Sequence, residues 1–114
     1  MSCLFGELVL KEVAKKIAEA LEKQSIFWKD HFLQRMLQRK ITMKNIFDVL
    51  ESFEIIEEYL DDKPFPSYLL IGHSEKEPIH VVLSLNDEDV ELYMITVYRP
   101  DKKMWDETYR RRKK

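Results

Sequence analysis

Residues 79–98 read IHVVLSLNDEDVELYMITVY, and this stretch decides the predicted fold. Two runs rich in β-branched and aromatic residues flank the polar residues 86–89, which is typical of an antiparallel hairpin. A register that places Ile79 opposite Val97 makes one face of the hairpin wholly apolar, as packing on helices requires. The pairs on that face are Ile79–Val97, Val81–Ile95 and Leu83–Tyr93.

The other face of the hairpin is polar in this register. His80 lies opposite Thr96, and Ser84 and Tyr98 share the same side. A register shifted by one residue would set His80 beside Ile95 and mix polar with apolar side chains. The first register is therefore preferred.

The chain before this hairpin is helical in its first part. Apolar residues recur every three or four positions through residues 4–23 and 26–40, which predicts two helices. Ser25 and Thr42 are placed to cap the second and a third helix. The third helix is expected to bury Met43, Ile46, Phe47 and Leu50, and further strands are expected at 55–59 and 67–72.

The end of the chain completes the predicted architecture. Pro100 ends the last strand, and Asp101 is placed to cap a short basic helix that carries Met104, Trp105 and Tyr109. We therefore predict one α+β domain in residues 26–114, with helices packed on a four-stranded antiparallel sheet and a short C-terminal helix.

Residues 1–25 are predicted to add an extra N-terminal helix. Beyond its main apolar stripe, this helix carries Leu4, Phe5, Leu8 and Val9. Apolar residues on two sides leave two interpretations open: an added core helix, or a surface for dimerisation or partner docking.

Composition restricts the class of protein. The 114 residues, 45% apolar and 35% charged, suffice for one domain with its own core. Cys3 is the only cysteine, which excludes an internal disulfide and favours a reducing compartment. No apolar run approaches the roughly 20 residues that span a bilayer, and the N-terminus lacks the pattern of a signal peptide. We expect a cytoplasmic protein without membrane contact.

The net charge of −2 hides a segregation of charge along the chain. Residues 26–44 carry five basic side chains against Asp30 alone, and residues 99–114 carry eight against three acidic ones. Residues 45–62 carry seven carboxylates and no basic side chain. The two basic segments either converge into one patch or are separate solvated faces.

Several classes of site have no pattern in this sequence. Gly6 and Gly72 are the only glycines, so the Gly-rich phosphate loops of nucleotide-binding folds are absent. None of the soft metal ligands has the spacing of a zinc site, and these are Cys3, His31, His73 and His80. We therefore expect neither a metal nor a cofactor.

The remaining candidates suit RNA cleavage. His31, Arg35 and Arg39 follow one another at four-residue steps along the predicted second helix. With His80 and Tyr98 they supply what metal-free cleavage needs: a base, an acid and a cation for the developing phosphorane charge. The spacing permits this arrangement without requiring it. The alternative is a boundary histidine on the helix and an ordinary strand-end tyrosine.

Short motifs occur in a specific order over residues 26–110. They are His31 to Met36 through Arg39, Glu54 to Glu57, Tyr59, Pro66-Ser67, Gly72, Pro78 to Val82, and Thr96 to Asp101 with Trp105. Their order and spacing resemble domain-of-unknown-function family 4258. That family is similar to the RelE/ParE-like toxins of toxin–antitoxin pairs, in which a helix pair packs on an antiparallel sheet and relatives cut mRNA or inhibit other targets.

The resemblance implies a metal-independent ribonuclease, often encoded beside a DNA-binding antitoxin. By it, His31 and Arg35 match the helix residues of the candidate catalytic set, His80 the strand histidine and Tyr98 the strand-end tyrosine. RNA, an antitoxin-like protein and a second copy bound through residues 1–24 are the expected partners. The expected RNA-binding side chains are Arg39, Lys40, Arg110, Arg111, Arg112, Lys113 and Lys114.

Two departures from the family pattern affect turns rather than the candidate site. Arg39-Lys40 and Ser52-Phe53 stand where the family usually has Arg-Gly and Ser-Gly.

A second hypothesis is a non-catalytic binding module of the same fold, with residues 48–62 and helix 1–24 as docking surfaces. A third is a degenerate domain that is retained as a scaffold, because one fold hosts several functions.

Overall fold

The computed structural model describes residues 2–113, and the side chains from residue 9 onward. Within that range the sheet has five strands in the order β1-β5-β4-β3-β2. The elements are α1 Ser2–Lys23, β1 Ile26–Trp28, α2 Asp30–Arg39, α3 Met43–Ser52, β2 Glu54–Tyr59, β3 Ser67–Ser74, β4 Glu77–Asn86 and β5 Glu91–Tyr98. The α+β class is confirmed, with helices packed on one face of the sheet.

The prediction of four antiparallel strands is wrong because β1 adds a fifth, parallel strand beside β5. Residues 26–28 were expected to begin a helix capped by Ser25. Instead Ile26 and Trp28 pack against the core, whereas Phe27 is 45% exposed. This alternation and these β-branched and aromatic residues suit a strand. The following helix begins at Asp30.

Helix α1 contributes to the core. Ile17 and Ala20 are fully buried, and Val13 and Leu21 pack against the same cluster. The side chains of Cys3, Leu4, Phe5 and Leu8 lie outside the described residues. Among residues 2–113, no helix is both long and apolar enough to cross a bilayer.

Helix α3 has the predicted cap, and Ile46 and Leu50 are buried as predicted. The Thr42 hydroxyl accepts from the backbone N–H of Asn45, and the Asn45 side chain accepts from the backbone N–H of Thr42. Met43 and Phe47, expected to be buried, are 40% and 39% exposed. The buried face is formed by Asn45, Ile46, Val49 and Leu50.

Strands β4 and β5 form the predicted hairpin in a different register. His80 lies opposite Tyr98 rather than Thr96. The pairing shifts at Ile95, which is an extra residue between two ladder pairs and so forms a β-bulge. The bulge brings two of the predicted site residues side by side.

The same bulge changes which residues of β5 face the helices. Leu83 pairs with Met94 instead of Tyr93. Met94 and Leu92 are fully buried in the core, whereas Tyr93 and Ile95 line a cavity on the other face together with Ser84. The expected apolar pairs of Ile95 and Tyr93 are therefore wrong.

Residues 101–113, here called the tail, do not form the predicted C-terminal helix. The Asp101 carboxylate accepts from the backbone N–H of Lys103 at 2.8 Å, which makes a local turn. Trp105 then pairs with Arg112 in an antiparallel bridge. The chain between these two residues reverses, because the Asp106 carboxylate accepts from several backbone N–H groups that follow it.

Helix α3 approaches the sheet closely at Gly72. A Cβ atom at Gly72 would lie 2.7 Å from Cα of Val49, well inside the normal contact distance. Because that neighbour is backbone rather than a flexible side chain, the helix itself would have to move.

We expect Gly72→Ala to lower the free energy of unfolding by about 1–3 kcal/mol, the typical cost of overpacking. His73→Ala is the matched control, since His73 is the next residue of β3 and is exposed; its effect should be within about 0.5 kcal/mol. Urea unfolding measures both. Equal stability of the two variants would contradict the close approach.

Candidate functional site

The face of the sheet opposite the helices, here called the open face, carries the candidate site. On this face His80 of β4 stands beside Tyr98 of β5 and Ile71 of β3, and Ile71 stands beside Glu54 of β2. The tail crosses this row and covers its centre. As a result, His80 is 0% exposed.

Both ring nitrogens of His80 have partners. Nε2 lies 2.8 Å from the carbonyl oxygen of Tyr109, and Nδ1 lies 3.2 Å from the hydroxyl of Tyr98. A carbonyl only accepts, so Nε2 carries the proton and donates to Tyr109. In the neutral ring Nδ1 then accepts from Tyr98. The Trp105 ring meets the imidazole edge-on at 4.5 Å between centroids.

Burial lowers the pKa of His80 below its ordinary value of 6.5. The Tyr109 carbonyl and the Glu57 carboxylate act in the opposite direction, and Arg112 adds to the lowering. Burial also raises the pKa of Tyr98, with Arg112, Glu57 and Arg39 as the charges that modify it. The histidine is therefore neutral at pH 7, and these charges surround the pair.

Glu57 and Tyr59 lie next to this pair because of a second bulge, in β2. Ile55 pairs with Leu70 and Glu57 with Leu69, so Ile56 is an extra residue. Leu70 belongs to the helix-side core and Leu69 to the open face, so the bulge turns Glu57 away from the side of Ile55.

The carboxylate of Glu57 accepts hydrogen bonds from the Tyr59 hydroxyl and the Arg112 guanidinium. Burial by itself raises the pKa of Glu57, but the bonds from Arg112 and Tyr59 outweigh it, and the net pKa is lowered. Burial and the bond to Glu57 raise the pKa of Tyr59 to about 12. Glu57 is thus ionised and Tyr59 is a neutral donor at physiological pH.

Two arginines fasten the tail to β2. Arg110 Nε lies 3.0 Å from Glu54, and Arg112 Nε lies 3.0 Å from Glu57. The Arg112 guanidinium also lies over the Trp105 ring at 4.7 Å. These two predicted RNA-binding arginines are paired with carboxylates of the protein itself. Of the other predicted tail residues, Arg111 and Lys113 are exposed, and Lys114 lies outside the described residues.

Arg39 reaches the site from the end of α2. Its Nη1 donates to the carbonyl of Val97 at 2.7 Å and lies 3.3 Å from the hydroxyl of Thr96, which belongs to the open face. Lys40 takes a left-handed conformation with φ of 55° at the end of α2. Glycine takes that conformation more readily than any other residue.

His31 and Arg35 lie apart from the His80–Tyr98 pair. His31 is exposed, and Arg35 donates to Gln38 at 2.9 Å on its own helix. Among the described residues, no hydrogen bond joins either of them to His80 or Tyr98. The structure therefore brings together two of the four predicted catalytic residues and adds Arg39 beside them.

Sequence reasoning missed Glu57, Tyr59 and the covering role of Trp105. The carboxylate-rich segment 54–58 and the arginines at 110–112 are complementary in charge, and that complementarity was the available signal for their pairing. Within residues 2–113, no group of three or more His, Cys, Asp or Glu side chains is placed to hold a metal ion.

Comparison with known proteins gives one match. A family model described as domain of unknown function (DUF4258) matches residues 28–99, well over half of the chain. The matched range contains α2, α3 and strands β2 to β5, and the tail follows it. No curated protein and no solved structure matches the chain.

The buried histidine predicts a loss of stability on mild acidification. Because the pKa of His80 is below 6.5 in the folded protein, the unfolded chain binds this proton more readily. The stability that the protein gains by keeping His80 neutral is complete above pH 6.5. As the pH falls below 6.5, the free energy of unfolding decreases by up to about 1.4 kcal/mol per pH unit. The Glu57 contribution is lost only below its ordinary pKa of 4.5.

Urea unfolding of the wild type and of His80→Asn between roughly pH 7.5 and 5 measures this effect. The wild type should lose stability over that range, and His80→Asn should not. Glu57→Gln is the control and should keep the loss. Parallel profiles for the wild type and His80→Asn would contradict the assignment.

Proposed function

The chain belongs to the DUF4258 family, and we propose that it is a metal-independent ribonuclease similar to the RelE/ParE-like toxins. The observation that carries the proposal is the His80–Tyr98 pair on the open face, at 3.2 Å. An ionised Glu57 and the cationic Arg39 are close enough to shift the pKa of Tyr98. A base, an acid and a cation are the groups that this reaction needs.

In the proposed reaction, Glu57 takes the proton of the attacking 2′-hydroxyl. The 2′-oxygen forms a bond to phosphorus, and the bond from phosphorus to the 5′-oxygen breaks. Protonated His80 gives its Nε2 proton to that leaving oxygen. Arg39 stabilises the charge on the phosphorane, and Tyr98 holds the imidazole through Nδ1. The products are a 2′,3′-cyclic phosphate and a 5′-hydroxyl.

The tail has to leave the open face before RNA reaches His80, because Tyr109 occupies Nε2 and Arg112 occupies Glu57. Release has two chemical effects. Glu57 loses its ion pair and becomes free to accept a proton. Burial, which is the main cause of the lowered pKa of His80, is relieved, so a larger share of the imidazole is protonated. The structure described here is accordingly the closed form.

His31 and Arg35 keep a place in the proposal as positioning residues for RNA that runs along α2. Both lie at four-residue steps from Arg39, which contacts the open face. On this basis their replacement should weaken RNA binding rather than abolish the chemistry.

The test uses purified protein, mixed RNA and EDTA, with chemical analysis of the new ends. Glu57→Gln and His80→Asn should each lower the cleavage rate roughly 100-fold or more, the usual contribution of a general acid or base. Glu57→Gln keeps the shape of the side chain, so it guards against a folding defect in the histidine variant.

His73→Asn is the matched control, since His73 is an exposed histidine on β3. It should cleave like the wild type. Absence of cyclic phosphate ends, or full activity of both site variants, would refute the ribonuclease proposal.

Weakening the tail should increase activity. Arg110→Ala and Glu54→Gln each remove the 3.0 Å ion pair that lies outside the reacting groups. Such exposed pairs are worth about 0.2–1 kcal/mol, so the open fraction and the cleavage rate should rise up to about fivefold. Lys103→Ala is the control, because Lys103 is an exposed basic residue of the tail that lies outside the predicted RNA-binding set. An unchanged or lower rate in both variants would show that tail release does not limit cleavage.

A non-catalytic protein-binding module is the second candidate, and the closed tail favours it. His80 has both nitrogens bonded, and Arg110 and Arg112 are neutralised by β2. Under this reading the cluster is structural, and the acidic stretch 48–62 and helix α1 dock an antitoxin-like partner or a second copy. A folded protein without any RNA cleavage, with or without the tail substitutions, would select this reading.

A further inference from the structure

A second group of side chains on the open face lies beyond the tail, around Tyr93 of β5. The Phe27 ring stacks on Tyr93 with centroids 4.8 Å apart and an angle of 12° between the planes. The Phe65 ring stacks on Tyr93 at 5.5 Å and 19°. We call Phe27, Tyr93 and Phe65 the aromatic stack. Phe27 comes from the strand on one side of β5 and Phe65 from the other side, so Tyr93 lies between them.

The aromatic stack presents apolar surface to solvent. Phe27 is 45% exposed although its neighbours Ile26 and Trp28 pack into the core. A ring that stacks on another ring and stays nearly half exposed offers the kind of surface on which a nucleobase stacks.

A cavity of about 310 Å³ adjoins the stack. Phe65, Tyr93 and Ile95 line it together with Ser67 and Ser84. The two serine hydroxyls lie 2.8 Å apart and leave further donor and acceptor capacity toward the cavity. A combination of aromatic side chains and hydroxyl groups suits a flat ligand with a polar edge.

Cations lie at the rim of this cavity. Lys29 Nζ is 5.9 Å from the centroid of the Tyr93 ring, and Lys63 also lines the cavity. Asp62 is the carboxylate in the lining, and Glu91 accepts from the Tyr93 hydroxyl. Two ammonium groups beside a stack of rings suit a base that is followed by a phosphate.

The stack is continuous with the candidate site. Tyr93 pairs with Ser84, which is four residues from His80 along β4, a distance of about 13 Å. A single strand that lies along the open face therefore reaches both places.

We infer that the aromatic stack, with Lys29 and Lys63, is a base-binding subsite for single-stranded RNA. The inference rests on the proposed ribonuclease function for the choice of RNA over other aromatic ligands. The subsite holds another nucleotide of the strand that is cleaved. It stays accessible while the tail is in place, because the tail contacts His80, Glu54 and Glu57 at the other end of the sheet face.

Fluorescence anisotropy with a labelled single-stranded DNA oligonucleotide tests the subsite. Without a 2′-hydroxyl this probe cannot be cleaved, so binding is measured alone. Phe27→Ala should raise the Kd at least about fivefold, the loss of one stacking contact, and Phe27→Trp should restore affinity. Lys29→Ala should reduce the salt dependence of binding by somewhat less than one unit of slope.

Phe47→Ala is the matched control, since Phe47 is 39% exposed but lies on α3, away from the open face. It should bind like the wild type. Equal Kd values for the wild type and Phe27→Ala would overturn the inference, as would equal weakening in both alanine variants. So would unchanged affinity for an oligonucleotide with abasic sugars in place of its bases.

The two proposals fail in different ways. If the protein cleaves RNA but Phe27→Ala binds the oligonucleotide as tightly as the wild type, the ribonuclease proposal is supported and the subsite is refuted. If binding depends on Phe27 but no cyclic phosphate ends form, the subsite is supported and the ribonuclease proposal is refuted.

Discussion

Strand β3 is buried on both of its faces, and the rest of the structure follows from this constraint. Tyr68 and Leu70 face the helices, whereas Leu69 and Ile71 face the other way and are 0% and 1% exposed. The helices of this protein cover one side of the sheet. The tail supplies the second cover, since it runs from His80 on β4 to Glu54 and Glu57 on β2 and so crosses β3. Burial of His80 is a consequence of this cover.

The site itself depends on two β-bulges. In β5, Ile95 shifts the ladder so that Tyr98 stands opposite His80. In β2, the extra residue Ile56 turns Glu57 onto the open face. A regular strand has a period of two and would have put Glu57 on the same side as Ile55. Polar groups from three strands therefore meet on one face although no single strand has a simple alternation of polar and apolar residues.

Strands β2 to β5 and the cap of α3 were predictable because they depend on local pattern. Thr42 and Asn45 form their cap within one turn, and the apolar runs of β3 to β5 need no distant information. The parallel strand β1 was not predictable, because its three residues become a strand only beside β5. The bulges carry no signal in composition, so His80 was placed on the correct face with the wrong neighbour. The tail pairs residues more than fifty positions apart, and only their opposite charges hinted at it.

Arg39 covers a part of the β5 edge that β1 leaves unpaired. Strand β1 pairs with β5 only as far as Met94, and the Arg39 guanidinium binds the Val97 carbonyl beyond that point. Arg99 in turn donates to the carbonyls of Arg39 and Lys40 and fixes the end of α2 there. A strand from another molecule would have to displace Arg39 before it paired with this part of β5. Loss of the Arg39 side chain would therefore uncover a backbone hydrogen-bonding edge of β5, the kind of edge on which strands of separate molecules pair.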